Sequence, residues 1–274
     1  MLNNKKIRLF WWSEPFLQGK PKENYGDLLG KYLVEKISGK EVVWVHPKKW
    51  HFKDYFQPIY VTAGSILAHV NQKCIVWGSG IILKDQVVKP AKFLAVRGPQ
   101  TRKRLLEQGY KVPEVYGDPG LLLPLYYNPP TEKKYKLGIV AHYNDFKTVQ
   151  PLYENDTEIL LIDLMTNDIE ATTDLFLQCD KIVSSSLHGL IIAHAYGIPA
   201  LWVQFSDKLF GDGIKFQDYY ESVKLPFSIP EIGTGKQSPE AFLNRFNSQP
   251  SLPDADVIAR LQKGLMEVCP FVSQ

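Results

Sequence analysis

The sequence predicts an α/β protein built on parallel sheets. Short apolar segments recur along the chain, some of them end at a glycine turn, and several are followed by a segment with helical spacing. A strand, a tight turn and a helix form the repeating unit of parallel sheets. The clearest example is 179–203, where strand, serine turn, helix and strand follow one another. We therefore expect Rossmann-like halves that bind ligands at the carboxyl ends of their strands.

The first half of the chain repeats this unit and predicts one sheet. We expect helices from Asn24 to about Lys36 and from Pro99 to Gln108, because a capping residue or a proline opens each and a glycine follows each. The segment before Asn24 is rich in proline, glycine and lysine and is expected to be a loop. The predicted strands are Ile7–Trp11, Val42–Val45, Ile59–Thr62, Cys74–Trp77 and Phe93–Val96.

The second half predicts a second unit of the same kind. Residues 124–134 contain adjacent prolines followed by charge, which is typical of a linker. We expect an N-terminal domain at 1–128, a C-terminal domain at 135–250, and a terminal helix within 251–274 that packs back on the first domain. The predicted strands are Leu137–Ala141, Ile159–Ile162, Lys181–Ser184 and Ala200–Val203, and the predicted helices are Thr172–Gln178, Leu187–Tyr196, Phe216–Val223, Pro239–Phe246 and Asp254–Val268.

The composition indicates a folded globular protein without a strongly basic surface. Of its 274 residues, 45% are hydrophobic and 22% are charged, and the net charge of +3 is too small to indicate nucleic-acid binding. The three cysteines are odd in number and form no CxxC pair, which favours a reducing compartment over a disulfide framework. No sequence motif indicates a metal site.

The chain is expected to be cytoplasmic. The apolar run Ile7–Trp12 is too short for a signal peptide and contains Arg8. No uncharged apolar run approaches the roughly 20 residues that a membrane span needs. The segment His46–Phe56 mixes lysines with aromatic rings. It is interpreted as a contact with the inner face of the membrane, a surface that stacks on sugar rings, or a solvated loop.

The serine turn after the strand Lys181–Ser184 is the first candidate site. Ser185 or Ser186 can cap the following helix and still face a ligand, and the helix start favours phosphate or carboxylate. Gly189 allows a close backbone approach. His188 lies in the first turn, where it can meet an anion and donate a proton. The alternative is a serine cap beside a structural histidine.

Loops of the first half supply further candidates. Asn24 and the Gly26 backbone can hold a polar ligand, and Asp27 can take a proton from a hydroxyl, unless this loop is only a helix cap. Two glycine turns follow predicted strands, so they lie either beside the ligand or in plain turns. The residues concerned are Gly64, Ser65 and Ser79.

Two charged residues and a second histidine complete the set. Arg97 ends a strand, where it can hold phosphate or carboxylate by two parallel hydrogen bonds, or it forms an ion pair with Asp118. Asp118 is expected to cap a helix or to orient Arg97. His142 follows a strand of the second half and is expected to line the same cleft as His188.

Taken in order, these motifs resemble the polysaccharide pyruvyl transferase family over residues 20–205. The short chain resembles the branch that decorates bacterial exopolysaccharide or capsule repeat units. The resemblance implies two Rossmann-like halves facing a cleft, as in GT-B glycosyltransferases, with the acceptor on the first half and the donor on the second. The motifs that carry it are Asn24-Tyr25-Gly26-Asp27, Gly78-Ser79-Gly80, Arg97-Gly98, Gly117-Asp118-Pro119, Ser184 to Gly189 and Gly197-Ile198-Pro199.

The resemblance also implies the reaction. Pyruvate passes from phosphoenolpyruvate, a co-substrate that needs no further cofactor, to two hydroxyls of a sugar carried on undecaprenyl diphosphate, which gives a cyclic ketal and phosphate. The family's donor contacts carry over to Arg97, Leu187 and His188. Ser186 stands where many members have arginine, so Arg97 or a lysine such as Lys181 is expected to replace that charge. Our hypothesis is that His188 is the general acid and that Asp27 assists the acceptor hydroxyl.

Two other functions remain open from the sequence. A nucleotide-sugar glycosyltransferase would use the same cleft and helix start with a nucleoside pocket. A non-catalytic glycan-binding subunit would explain why Ser186 replaces the arginine.

Overall fold

Two parallel sheets form the frame of the protein. The computed structural model describes residues 6–49, 52–233 and 235–272. In chain order the strands are β1 (Ile7–Phe10), β2 (Glu23–Asn24), β3 (Val42–Trp44), β4 (Ile59–Val61), β5 (Cys74–Trp77), β6 (Lys92–Ala95), β7 (Leu137–Val140), β8 (Ile159–Ile162), β9 (Met165–Thr166), β10 (Ile182–Ser184) and β11 (Ala200–Trp202). The first sheet has the order β3-β1-β4-β5-β6 and the second β11-β10-β7-β8.

Helices follow most of these strands. In chain order they are α1 (Glu14–Gln18), α2 (Tyr25–Ser38), α3 (Pro99–Glu107), α4 (Tyr143–Tyr153), α5 (Ile169–Leu177), α6 (Leu187–Ala195), α7 (Ile214–Ser222), α8 (Pro239–Ser248) and α9 (Ala255–Glu267). A 3₁₀ helix covers Pro119–Leu125, and shorter 3₁₀ turns cover Phe52–Tyr55 and Leu67–His69. The predicted α/β class with parallel sheets is confirmed, as is each strand predicted from an apolar run.

Two predictions about local structure were wrong, and one helix was not predicted. The segment before Asn24 is not all loop, because the Ser13 hydroxyl accepts a hydrogen bond from the Phe16 N–H and starts α1. Residues after His142 form α4, which has an imidazole as its N-cap and a proline inside it. Neither feature is a usual helix signal. Helix α5 begins at Ile169, before the predicted start, because Asp168 caps it.

The central core lies between the two sheets. Helices α2, α5 and α6 and the 3₁₀ helix Pro119–Leu125 pack against one another there. One continuous cluster of buried side chains includes Leu9 of the first sheet, Leu29 of α2, Leu190 of α6 and Val140 of the second sheet. Burial of this apolar surface holds the two sheets at a fixed distance from a shared layer of helices.

A short antiparallel pairing joins the two halves beside this core. Strand β2 pairs with β9, Glu23 opposite Thr166 and Asn24 opposite Met165. The Tyr25 hydroxyl lies 2.7 Å from the Thr173 hydroxyl of α5, and both side chains are buried. The start of α2 is thereby fixed against the second half of the chain.

The connection pattern creates one crevice in each sheet. In the first sheet, the chain runs from β1 to β3 on one side and then returns to β4 on the other. In the second, it runs from β7 to β8 and then returns to β10 on the opposite side. Such switch points open a crevice at the carboxyl ends of the adjacent strands. Candidate ligand sites are therefore the loops after β1, β4, β7 and β10.

The C-terminal segment packs on the first sheet. The Trp77 indole N–H donates to the Leu265 carbonyl of α9 at 2.9 Å, and the Phe271 ring packs against the rings of Tyr60 and Trp77.

Within the ranges that the structure describes, no helix is both long and apolar enough to cross a membrane. The domain boundaries given above stay a prediction.

A buried ion pair attaches α7 to the first sheet. Arg97, which follows β6, donates from Nε to Asp218 Oδ2 of α7 at 3.0 Å, and both side chains are fully buried. Asp218 also accepts from the Thr101 N–H and hydroxyl of α3. These contacts fix the direction in which α7 leaves the second half and crosses the first.

Replacing Asp218 with asparagine is expected to destabilise the protein strongly. The change leaves the buried Arg97 guanidinium without its counter-charge, a loss of about 3–5 kcal/mol in the free energy of unfolding. Denaturant unfolding measures it. The control is Glu158→Gln in the exposed Lys136–Glu158 pair, whose loss is expected to stay at about 1 kcal/mol or less. Equal losses in the two variants would contradict this prediction.

Candidate functional site

A cavity of about 510 Å³ lies where the two crevices meet. Trp12 follows β1 and Gly64 follows β4, while His142 follows β7 and Ser186 follows β10, so all four loops contribute. The cavity therefore occupies the switch points of both sheets at once. Its walls also include Asn24, Asp27, Ser65, Ile66, Ala68, His69, Ile82, Leu83, Gln86, Tyr143, Asn144, Leu187, His188, Phe210 and Lys215.

His188 lies at the closest approach of α2 and α6. A Cβ atom placed on Gly26 would lie 2.0 Å from the His188 Nδ1, so only glycine leaves room for the imidazole. The Nε2 atom is buried and lies 3.7 Å from Asp118 Oδ2. Because Nε2 is covered, the 11% of the side chain that is exposed belongs to the rest of the ring and its stem. Nδ1 is the ring nitrogen that lies beside Gly26.

Asp118 supports His188 from behind. Its Oδ1 accepts a hydrogen bond from the Gly120 N–H at 2.9 Å and caps the 3₁₀ helix, so the predicted capping role is observed. Burial by itself raises the pKa of this carboxyl. The His188 imidazole, the Gly120 N–H and the Arg97 charge outweigh burial and hold the pKa below its ordinary value. Asp118 is therefore an ionised partner for the imidazole.

Asp27 lines the cavity from the first turn of α2. Burial raises the pKa of its carboxyl from 3.8 to about 7, and the charges of His188 and Lys215 oppose that rise while Glu14 and Glu23 add to it. A carboxyl that titrates near neutral pH can act as a proton acceptor under physiological conditions. Asn24 stands beside it as the N-cap of α2, its amide oxygen accepting from the Gly26 N–H at 3.0 Å.

The serine turn leaves the start of α6 open. Ser186 is the N-cap residue, but its hydroxyl forms no capping hydrogen bond, so that part of the prediction was wrong. Ser184 takes over locally, its hydroxyl accepting from the Ser186 N–H at 3.0 Å. The Ser185 hydroxyl is fully buried and accepts from the His142 N–H at 2.9 Å, which joins the loops after β7 and β10. Ser186 is free to face the cavity.

Several predicted residues lie behind the cavity wall. Ser79 is buried and donates to the Gly64 carbonyl at 2.8 Å, which fixes the turn after β4. A Cβ on Gly189 would lie 2.2 Å from the Ser184 hydroxyl, so Gly189 brings α6 close to β10 rather than to the cavity. Gly26, as described, makes room for His188. These three positions shape the site from outside its lining.

Arg97 also lies outside the cavity lining, and each nitrogen of its guanidinium donates a hydrogen bond. It donates to Asp218, to the Ile81 carbonyl and to the Ser65 hydroxyl. The alternative expectation of an ion pair with Asp118 was wrong in its partner, because Asp218 of α7 occupies that position. Ser65 lines the cavity, so Arg97 reaches the site through this hydroxyl. Its predicted direct contact with a donor stays a prediction.

Lys215, which no sequence motif indicated, also lines the cavity. It is the second residue of α7, and burial with the Arg97 charge lowers the pKa of its ammonium to about 8, while Asp27 opposes the shift. Lys181, considered above as a replacement cation, instead lies 5.6 Å from the centroid of the Phe246 ring. The sequence feature nearest to Lys215 is the pair of glycines at 211 and 213, which mark the turn before α7.

Aromatic groups form another part of the wall that the sequence analysis missed. The rings of Trp12 and His69 lie 5.4 Å apart, and the Trp12 indole N–H donates to Glu14. Burial, with the charges of Lys48 and His46, lowers the pKa of His69 to about 4.

Of the segment His46–Phe56, residues 50 and 51 lie outside the described residues. Across the described ranges, no group of three metal-ligating side chains is present.

Two parallel sheets with a cavity at the carboxyl ends of their strands define an α/β protein built to bind a small ligand. Residues 24–206 match the family described as polysaccharide pyruvyl transferase. The chain therefore belongs to this family of transferases. It is also similar to an uncharacterized protein of Acanthamoeba polyphaga mimivirus, with 36% identity over 203 residues, which cover 72% of this chain and 69% of the viral protein.

Gly26→Ala is expected to destabilise the protein and to displace His188. The added methyl group overlaps the imidazole, and overpacking of this kind costs about 1–3 kcal/mol. Denaturant unfolding gives the free energy. Gly264→Ala in α9 is the control, because its nearest neighbour would be at an ordinary 3.6 Å and alanine favours a helix. A Gly26→Ala protein as stable as the control would rule out the tight contact.

The raised pKa of Asp27 predicts a pH dependence of stability. Between about pH 4 and pH 7 the folded state holds a proton on Asp27 that the unfolded chain has lost, so the free energy of unfolding falls as the pH rises. Asp27→Asn lacks this loss. Unfolding at pH 5 and pH 8 should show a smaller decline for the variant than for the wild type, and parallel declines would refute the assignment.

Proposed function

We propose that the protein transfers pyruvate from phosphoenolpyruvate to two hydroxyls of one sugar, which yields a cyclic ketal and inorganic phosphate. The observation that carries the proposal is the convergence of His188, Asp27 and the uncapped start of α6 on one cavity. Membership in the polysaccharide pyruvyl transferase family supports it. Phosphoenolpyruvate is the only co-substrate required.

The donor is held by the second half of the chain. The first N–H groups of α6, the Ser186 hydroxyl and the backbone of Leu187 suit an anionic group, because a helix start offers unpaired donors and a partial positive charge. His188 is the general acid. Asp118 at 3.7 Å from Nε2 stabilises the imidazolium and orients the ring, which leaves Nδ1 for the donor.

The reaction balances with two hydroxyls of one acceptor. His188 protonates the methylene carbon of the donor, and the first hydroxyl oxygen bonds to C2 while its proton passes to Asp27. The bond between C2 and the bridging oxygen then breaks, phosphate leaves, and the second hydroxyl closes the ring at C2. The proton from this hydroxyl is taken up by the leaving phosphate or by solvent.

The acceptor lies on the first half, between Asn24, Asp27 and the turn at Gly64 and Ser65, with His142 facing it. Trp12 and His69 offer flat apolar surfaces of the kind that pack on sugar rings. A GT-B-like cleft, with donor and acceptor on opposite halves, is part of this proposal.

The acceptor sugar is carried on undecaprenyl diphosphate, and the enzyme works at the cytoplasmic face of the membrane. The exposed rings of Phe52 and Phe56, next to Lys48, Lys49 and Lys53, support this part of the proposal. Aromatic rings among lysines are typical of surfaces that rest on anionic lipid. The products belong to exopolysaccharide or capsule repeat units.

Phosphate release from phosphoenolpyruvate in the presence of a lipid-linked oligosaccharide tests the function. The wild type should release phosphate, and mass spectrometry should detect the addition of one pyruvate to the acceptor. His188→Ala should reduce kcat/KM by about 10²- to 10⁴-fold, since the general acid is lost. Glu158→Gln, in an exposed pair that does not line the cavity, should keep wild-type turnover.

Three results would contradict the proposal in different ways. Full turnover in His188→Ala removes the general-acid assignment alone. Transfer from a nucleotide sugar but not from phosphoenolpyruvate indicates a glycosyltransferase. Binding of glycan with no transfer from either donor indicates a non-catalytic subunit.

A further inference from the structure

The cavity contains few groups that can carry positive charge at neutral pH. Burial, aided by the Lys215 charge, lowers the pKa of His142 to about 3, and His69 titrates near pH 4. Both rings are therefore neutral at pH 7. Among the lining residues that the structure describes, Lys215 is the one lysine or arginine. A donor with two anionic groups needs a positively charged side chain close to it.

Arg97 cannot take this role without losing its structural contacts. All three nitrogens of its guanidinium donate to groups of the protein, and the side chain is fully buried. Moving it toward a ligand would leave Asp218 buried without a counter-charge, which is strongly unfavourable. Arg97 acts instead as a positioning residue, since Asp218 lies one helical turn from Lys215 on α7.

The Lys215 ammonium group lies 5.4 Å from the centroid of the Phe216 ring. In the part of the chain that the structure describes, no carboxylate lies within 4.0 Å of its ammonium group. The charged and titratable groups that face it are Asp27 of α2, Arg97 after β6 and His142 after β7. Asp27 and Lys215 both line the cavity, and their opposite charges attract each other.

We propose that the Lys215 ammonium group binds the anionic end of the donor and makes the cavity selective for a charged donor. This inference rests on the proposed function, because it assigns a residue to the donor of that reaction. It also explains how Ser186 is tolerated where the family resemblance implies an arginine. The charge comes from α7, which the buried Arg97–Asp218 pair directs into the cavity.

Calorimetric titration of phosphoenolpyruvate into the full-length protein tests the inference. Lys215→Met should raise the Kd by roughly 10- to 100-fold, the range for a lost hydrogen bond to a charged group. Lys208→Met is the matched control. It removes the same charge from an exposed residue of the preceding loop that does not line the cavity, and its Kd should stay within about twofold of the wild type.

A pH series separates a direct contact from a structural role. Lys215 loses its proton above about pH 8, so the wild-type affinity should fall between pH 7 and pH 9. Lys215→Arg stays charged over this range and should make that fall smaller, leaving the part that ionisation of Asp27 causes, while keeping affinity at pH 7 within about tenfold of the wild type. Unfolding curves of each variant check that the fold is retained.

The outcomes distinguish the inference from the function on which it rests. Equal affinities for the wild type and Lys215→Met, or equal losses in Lys215→Met and Lys208→Met, would overturn the role of Lys215 and leave the donor in place. A wild-type protein that binds no phosphoenolpyruvate would remove the donor itself, and the role of Lys215 with it.

Discussion

The site depends on the contact between Gly26 and His188. The starts of α2 and α6 come from different halves of the chain and meet where a side chain on residue 26 would overlap the imidazole. Behind the ring, Asp118 begins a third helical segment and supplies a buried negative charge at 3.7 Å. Three element starts thus converge on one histidine. The shared layer of helices between the sheets makes this convergence possible, because it fixes both halves against a single core.

The electrostatics of the cavity follow from the same geometry. Burial raises the pKa of Asp27 to about 7 and lowers that of Lys215 to about 8, so an acid and a base that both titrate near neutrality face each other. Burial also makes His142 neutral. Arg97 contributes its charge from outside the lining and fixes α7 through Asp218. Fixed charges around an enclosed space are the arrangement that stabilises a reacting anion without reorganisation.

Part of the fold and of the site could be read from the sequence. The apolar runs predicted the strands of both sheets, because a strand in a parallel sheet is buried on both faces and is therefore hydrophobic along its whole length. The ends of those runs and the helix start at Asn24 predicted further residues, all of which line the cavity: Asn24, Asp27, Ser65, His142, Ser186 and His188. Helix α4 was missed because an imidazole caps it, and β2 and β9 were missed because two-residue strands leave no periodic pattern.

The sequence by itself determined the class of the fold and the chemistry available at its turns, since local patterns fix strands, helix starts and residue types. Only the tertiary structure decided which of these groups share a cavity. Lys215 lines the cavity because the ion pair between Arg97 and Asp218 fixes α7 against the first half. The same ion pair engages the Arg97 guanidinium, so Arg97 does not line the cavity. That pairing joins residues far apart in the chain, and no local pattern encodes the distance between them.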